Sequence, residues 1–146
     1  MKNSLCALFT ALVSSVASAQ QTCWQTVHDA PFEVKTMLAT STHLVAAGAG
    51  AGGSGYQLAT YGAGNWASLP GLFNGEIHAF AETANGLVAV GDFTSVDGVP
   101  ANRVARLVAG TWTRLGSGIA DGTVLAAQEY GGKLYCGGEF TTAGGA

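Results

Sequence analysis

The pattern closest to a known chemical motif is a glycine-rich segment that follows a strand-like run. Residues 48–53 fit G-x-G-x-x-G and come directly after the apolar residues 44–47. In a dinucleotide-binding fold such glycines open a helix, and an acidic residue lies about twenty positions further on. Here residues 56–61 have a strand-like pattern instead, and residues 65–69 contain no carboxylate. We therefore interpret the segment as a flexible glycine loop and expect no cofactor.

Other side chains with catalytic or metal-binding chemistry are scattered along the chain. The histidines are His28, His43 and His78. They are separated by 15 and 35 residues, which favours surface positions over a zinc site. The carboxylates near predicted turns are Asp92, Asp97, Asp121 and Glu139. Their oxygens suit calcium, but their spacing fits no standard calcium loop. We assign no catalytic or metal-binding residue, and we expect the chain not to be an enzyme.

The N-terminal residues 1–19 are predicted to be a secretory signal peptide. Lys2 supplies a positive start, residues 5–13 are apolar, and Ala17 and Ala19 flank a serine before a cleavage point at Gln20. A membrane anchor is the alternative, which the shortness of the apolar stretch disfavours. We expect an exported protein, extracellular or on the cell surface with the periplasm as a further location, and no membrane span in the mature chain.

The charge and cysteine content of the mature chain limits its partners. Removing the signal peptide leaves five basic and nine acidic side chains, a net charge of about −4. Because no basic patch remains, binding to nucleic acid by phosphate neutralisation is not expected. Cys23 and Cys136 also remain. In an exported protein they either form a disulfide with each other or stay apart, and the sequence leaves both alternatives open.

The positions of the tryptophans reveal an internal repeat. Trp24, Trp66 and Trp112 are 42 and 46 residues apart. Alignment on them superposes several further positions. These recurring positions are Leu44, Leu87 and Leu134, Gly48, Gly91 and Gly138, Phe93 and Phe140, and the β-branched Val34, Ile77 and Val124. Coincidences at fixed spacing over three copies indicate repeated structural units.

Each unit is expected to fold as a meander of short antiparallel strands. The middle unit has strand-like runs at 77–82, 87–93, 103–108 and 111–115, separated by turn dipeptides such as Asn85-Gly86 and Asp97-Gly98. A period of roughly 46 residues with four strands per unit is typical of a β-propeller. The sequence therefore predicts an all-β fold built from propeller-type blades of four antiparallel strands.

The repeat predicts structural positions and roles for several of its residues. Gly91, Gly137 and Gly138 are expected to fit the narrowing space near a propeller axis. The tryptophans are expected between adjacent blades. Asp92 and Glu139 share one repeat position, which predicts a structural role such as holding a hairpin through backbone N–H groups. Arg103 and Arg106 lie three apart on a predicted strand and should point to opposite faces.

These residues resemble a family of secreted bacterial repeat proteins, related to kelch-type propellers and similar to fungal cortical polarity-marker propellers. The matching segments in this chain are residues 134–138, 140–145, 102–106 and 110–112. The first copy departs from the family pattern, because the glycine-rich residues 48–55 replace its phenylalanine-threonine segment. The resemblance implies a propeller that is secreted or on a cell surface, and it carries over no catalytic residues.

The repeat region is predicted to span residues 20–146, with units at about 24–65, 66–111 and 112–146. This amounts to about 2.7 units, whereas propellers close with about four to eight blades. Residue 146 falls where the matching copy continues into its next strand. We therefore expect a partial chain whose open stack needs further blades in the same chain, with closure by self-association as the less favoured explanation.

Two functions from different classes remain after this reasoning. The favoured one is a secreted or cell-surface non-enzymatic module for binding, adhesion or scaffolding, which holds an unknown protein or glycan ligand with loops at one end of the blades. The alternative is the N-terminal part of a secreted propeller enzyme, glycan-acting or an oxidase, whose active site lies in missing blades. The fold alone does not separate them, because propellers host both.

Overall fold

A computed structural model describes residues 30–53 and 55–144. The predicted signal peptide, Trp24, Cys23 and His28 lie outside the described residues. The described part forms twelve β-strands, one 3₁₀ turn and no α-helix. The strands are β1 Glu33–Ala39, β2 Leu44–Ala49, β3 Tyr56–Gly62, β4 Asn65–Phe73, β5 Ile77–Thr83, β6 Gly86–Gly91, β7 Ser95–Val96, β8 Val99–Pro100, β9 Val104–Val108, β10 Thr111–Arg114, β11 Thr123–Tyr130 and β12 Lys133–Glu139.

The strands assemble into three antiparallel sheets, none of them closed within the described residues. The first sheet has the order β1-β2-β3-β4-β7-β8, the second β10-β9-β6-β5 and the third β11-β12. The prediction of an all-β, antiparallel fold is therefore confirmed. The four strand-like runs of the middle sequence unit correspond to β5, β6, β9 and β10, and these pair with one another to make the second sheet.

The first hairpin of each sheet has a β-bulge at the same position. The hairpins β1–β2, β5–β6 and β11–β12 each contain a bulge, which falls at Val34/Thr36, Ile77/Ala79 and Val124/Ala126. The residue that opens each bulge is the β-branched residue aligned in the sequence. Its cross-strand partner is the aligned glycine in all three hairpins: Gly48, Gly91 and Gly138. The recurring β-branched residue and the recurring glycine, which are 14 residues apart in every unit, are thus direct cross-strand partners.

The bulge explains why glycine is required at the partner position. A Cβ atom would lie 1.9 Å from the carbonyl oxygen of Glu33 at Gly48, 2.0 Å from that of Glu76 at Gly91 and 2.1 Å from that of Thr123 at Gly138. The crowding at Gly91 and Gly138 comes from the partner strand of the same hairpin, and their fit to the narrowing space near a propeller axis stays a prediction. At Gly137 a Cβ would meet no described atom within 4 Å, so the hairpin itself does not require glycine there.

Two apolar clusters lie between the sheets. The first, centred on Phe73, Phe80 and Phe93, lies between the first and second sheets, and the second, which contains Val90 and Val124, lies between the second and third. Strand β6 contributes to both clusters, so it is buried on both faces. We call the first strand of each sheet in chain order, β1, β5 and β11, its inner strand. The inner strands lie side by side, because β1 packs beside β5 and β5 packs beside β11.

The two described tryptophans occupy different environments. Trp112 is only 7% exposed; its Nε1 donates a hydrogen bond to the Pro70 carbonyl at 2.7 Å, and its ring stands edge-on to Phe73. Since Pro70 and Phe73 belong to β4, Trp112 lies between the first and second sheets. Trp66 is half-buried and packs at a tilt on Tyr61, its cross-strand neighbour in the first sheet.

Candidate binding surface

The polar side chains that lie together are found where the inner strands begin. Because β1, β5 and β11 pack side by side and each pairs with the next strand in the same register, their first residues come close to one another. We call this set the polar row. Its members are Glu33, Lys35, Glu76, His78, Asp92 and Thr123. Sequence spacing did not group them, since they come from three repeat units.

The centre of the polar row is a pair between His78 and Asp92. His78 Nε2 lies 2.9 Å from Asp92 Oδ2, and the side chains are 22% and 44% exposed. Burial acts to raise the pKa of Asp92, but hydrogen bonds from His78 and Thr123 and the charge of Arg103 outweigh it and lower the pKa. Asp92 is therefore held as a carboxylate whose partners lie on both the second and third sheets.

This arrangement revises two sequence interpretations. The Asp92 carboxylate contacts the side chains of His78 and Thr123, whereas the sequence interpretation expected contacts to backbone N–H groups of a hairpin. His78 is half-buried rather than solvated. Glu139, which shares the repeat position of Asp92, is exposed. The repeat position therefore does not have one fixed role in the two units.

A second pair extends the polar row onto the first sheet. Lys35 Nζ donates a hydrogen bond to Glu33 Oε1 at 2.7 Å on the exposed start of β1. That hydrogen bond and the lysine charge lower the pKa of Glu33, while the same hydrogen bond and the charge of Glu33 raise the pKa of Lys35. Glu76, which directly precedes β5, adds a weaker attraction on Lys35. Both signs of charge are thus present along the row.

Arg103 joins the second sheet to the segment that leads into the third. Its Nη1 donates to the carbonyl oxygens of Ile119 at 2.9 Å and Ala120 at 3.1 Å, and its Nε is buried without a partner. The prediction that Arg103 lies on a strand with Arg106 was wrong. Arg103 has a φ of 61° and precedes β9, which begins at Val104, so strand alternation does not govern its direction.

Two equivalent side chains fix the loops that follow β6 and β12. Asn74 Oδ1 accepts hydrogen bonds from the N–H groups of Thr94 and Ser95 at 2.8 and 2.9 Å. Asp121, 47 positions later, accepts from the N–H groups of Thr141 and Thr142, both at 3.1 Å. Hydrogen bonds from the Thr141 side chain and backbone also lower the pKa of Asp121.

Sequence reasoning missed these hydrogen bonds from Asn74 and Asp121 to the loops, which we call the loop clamps. The available signal was an Asn or Asp that stands twenty residues before the threonine of each phenylalanine-threonine pair. The first unit has Pro31 at the equivalent position, and a proline side chain accepts no hydrogen bond. In that unit the loop instead contains the 3₁₀ turn Ala51–Gly53.

The glycine-rich motif lies in this loop and has no dinucleotide-binding context. The loop joins β2 to β3, and these strands are antiparallel neighbours in the first sheet. A dinucleotide site needs the glycines to open an α-helix whose N-terminus faces the pyrophosphate. Here a strand follows, so the interpretation as a glycine loop agrees with the fold.

The remaining candidate ligands are dispersed among turns. His43 Nδ1 lies 2.7 Å from the Thr42 hydroxyl in the β1–β2 turn, and Asp97 Oδ1 accepts a hydrogen bond from the Leu72 N–H at 2.8 Å. The residues that the structure describes contain no group of three or more histidine, cysteine or acidic side chains placed to hold a metal ion. Cys136 forms no disulfide with another residue that the structure describes, and burial raises the pKa of its half-buried thiol.

A cleft opens between the first and second sheets at the end opposite the polar row. It has a volume of about 210 Å³, with Val45, Leu69 and Leu87 in its walls and His43 and Glu82 at its rim. Between the second and third sheets, Glu129 accepts a hydrogen bond from the Ala84 N–H at 3.2 Å and bridges the corresponding gap.

Comparison with known proteins gives no relative from which a site can be transferred. No protein-family model, no curated protein and no solved structure matches the chain. Over residues 30–53 and 55–144, no helix is long and apolar enough to cross a membrane. The function is therefore argued from the sheets and the polar row alone.

Proposed function

We propose that the chain is an exported β-propeller repeat protein that acts as a binding or adhesion module. The observation that carries the proposal is the bulged hairpin, which recurs with one register at the start of three sheets. The inner strands of these sheets lie side by side, as blades do around a propeller axis. A repeat of this kind holds loops and strand ends in fixed positions, which suits recognition of a ligand.

The polar row is the proposed ligand contact. It presents an ammonium group at Lys35 on β1, the imidazole of His78 on β5 and a carboxylate at Asp92 directly after β6. Donors and acceptors held on rigid strands favour a polar ligand with several hydrogen-bonding groups, either a glycan or a protein segment. No reaction is assigned to the row.

The test compares Glu76, which directly precedes β5, with Glu82 near the end of β5. Binding is measured to an immobilised panel of bacterial and fungal polysaccharides and of extracellular matrix proteins. Glu76→Gln alters the polar row, and Glu82→Gln makes the same chemical change at the opposite end of β5. We expect Glu76→Gln to weaken binding severalfold and Glu82→Gln to bind as the parent protein does.

Equal binding by the two variants would exclude the polar row as the contact. Release of soluble sugar from a bound polysaccharide, or oxidation of it, would contradict the non-enzymatic proposal and favour a propeller enzyme. The comparison of the two variants therefore tests where the site lies. The assay for soluble or oxidised sugar tests whether the protein binds a ligand or acts on it as an enzyme.

A further inference from the structure

The cleft between the first and second sheets has apolar walls that continue the core. Val45 and Leu69 belong to the first sheet, and Leu87 and Leu107 belong to the second. Val45 is buried, and the three leucines are half-buried and pack against the apolar cluster between the two sheets. An engineered apolar cavity of about 150 Å³ holds a benzene molecule. The cleft, with a volume of about 210 Å³, therefore has room for one ring with a short polar substituent.

Glu82 brings a carboxylate to this apolar cleft. Its cross-strand partner is Leu87, and Phe80 lies two residues before it on β5. Because direct partners and alternate residues of a strand share one face of a sheet, Glu82 lies on the face turned toward the first sheet. The described residues that line the cleft include no lysine or arginine, so they offer this carboxylate no basic partner.

The equivalent carboxylate of the next unit joins two sheets. Glu82 and Glu129 each stand five residues after the residue that opens the bulge of their hairpin. Glu129 accepts a hydrogen bond from the Ala84 N–H in the turn of the second sheet. Ser41 takes the place of Ala84 in the first sheet, but no hydrogen bond joins its N–H to Glu82 in the described part of the chain. The Glu82 carboxylate is therefore available to a ligand.

The two hydroxyl groups at the cleft are used within their own turns. The Thr40 hydroxyl donates a hydrogen bond to the His43 carbonyl oxygen at 2.7 Å. The Thr83 hydroxyl donates to the Gly86 carbonyl oxygen at 2.6 Å. Since a carboxylate only accepts hydrogen bonds, a ligand of the cleft must supply the donor. A cationic donor is favoured over a neutral one because charge-assisted hydrogen bonds are stronger, and the charge of Glu82 repels an anion.

We propose that the cleft binds a small-molecule amine, with its apolar body against Val45, Leu69 and Leu87 and its ammonium group paired with Glu82. The ligand class is a free primary amine on a single ring or on a short alkyl chain, which matches the volume of the cleft and the charge at its rim. The proposal does not rest on the polar row or on its ligand, because the cleft lies at the opposite end of the sheets.

The first experiment compares three probes that share a ring and differ in charge. Benzylamine, benzyl alcohol and benzoate are titrated into isotope-labelled protein expressed from the full 146-residue sequence, and amide resonances are followed by nuclear magnetic resonance. We expect benzylamine to shift the resonances of residues 40–45 and 82–87 saturably, with a dissociation constant about fivefold lower than that of benzyl alcohol. Benzoate should bind more weakly than either. Equal affinity for the three probes, no saturable binding, or shifts confined to other residues would overturn the proposal.

The second experiment removes the charge and keeps the shape of the side chain. Glu82→Gln should bring the affinity for benzylamine down to that for benzyl alcohol. Unchanged binding of benzyl alcohol by this variant shows that the cleft is intact. Glu139→Gln removes a carboxylate from the exposed end of β12 and should leave the affinities for both probes unchanged.

Two results would exclude the pairing with Glu82. One is a preference for benzylamine that persists in Glu82→Gln, and the other is a preference that Glu139→Gln abolishes equally, since the effect would then come from the net charge of the protein. Glu82→Gln acts on the amine and Glu76→Gln on the ligand of the polar row, so the failure of either proposal is distinguishable from the failure of the other.

Discussion

A methyl group added at the bulge glycines should be far more harmful than one added at the adjacent glycine. In Gly91→Ala the new Cβ would lie 2.0 Å from the Glu76 carbonyl oxygen, whereas carbon and oxygen in contact are about 3.3 Å apart. The two strands must therefore separate by at least about 1 Å at the bulge, inside a hairpin that is buried on both faces of β6. Overpacking of a rigid core by such an amount costs about 3 kcal/mol.

The adjacent pair Gly137 and Gly138 gives a matched control within one strand. Gly138→Ala meets the Thr123 carbonyl oxygen at 2.1 Å, while Gly137→Ala meets no atom within 4 Å. We expect Gly138→Ala to destabilise strongly. Gly137→Ala should be neutral or slightly stabilising, because alanine restricts the unfolded chain.

Urea unfolding followed by tryptophan fluorescence measures these differences. A loss of about 3 kcal/mol is a large part of the stability of an ordinary domain and lowers Tm by about 10 °C for a chain of this size. Equal stabilities for Gly137→Ala and Gly138→Ala would refute the bulge as the reason for the recurring glycine. A normal stability for Gly91→Ala would refute the close approach at β5 and β6.

Three further predictions concern contacts between and within the sheets. Trp112→Phe removes the hydrogen bond to Pro70 and part of the indole, and urea unfolding should show a loss of about 2 kcal/mol. Arg103→Ala removes two charge-assisted hydrogen bonds to carbonyl oxygens ahead of the third sheet; we expect a loss of about 2 kcal/mol by the same measurement and faster amide exchange in β11. The pKa of Asp121 is lower in the folded protein than in the unfolded chain, so its stabilising effect is present above the ordinary aspartate pKa and is lost as the pH falls through the folded value. In thermal melts across that acidic range, Asp121→Asn should therefore lose less stability than the parent protein as the pH falls. An unchanged pH profile would contradict the hydrogen bonds from the loop to the Asp121 carboxylate.

The strands of the second sheet could be predicted from the sequence because their signals are local. Alternating apolar residues and turn dipeptides are sufficient to place β5, β6, β9 and β10 within one or two residues. The left-handed turn at Ala109 and Gly110, with φ values of 49° and 80°, lies where the sequence predicts a turn between β9 and β10. Because these signals recur along the chain, the sequence alone was sufficient to align the repeat units with one another.

The contacts between residues far apart in the chain could not be predicted in the same way. The crowding at Gly91 depends on a bulge in the opposite strand, and the partners of Asp92 lie 14 residues before it and on another sheet. These are long-range contacts, which leave no periodic signal in the chain. The left-handed conformation of Arg103 is also invisible to pattern reasoning, since arginine in a strand-like run predicts an extended backbone.

The first unit shows how the loss of two hydrogen-bonding side chains accompanies a different loop structure. Its equivalents of Asn74 and Thr94 lack the hydrogen-bonding groups that clamp the loop after β6 in the second unit. A glycine-rich loop with a 3₁₀ turn takes that place. The sequence alone showed the change in composition, but not the reason for it.

The central claim is that one bulged hairpin recurs in three sheets whose inner strands lie side by side. Nuclear Overhauser contacts in the isotope-labelled protein test it most directly. We expect backbone contacts for Val34 with Gly48, Ile77 with Gly91 and Val124 with Gly138, together with side-chain contacts between β5 and β11. Regular strand pairing without the bulges, or an absence of contacts between β5 and β11, would contradict it.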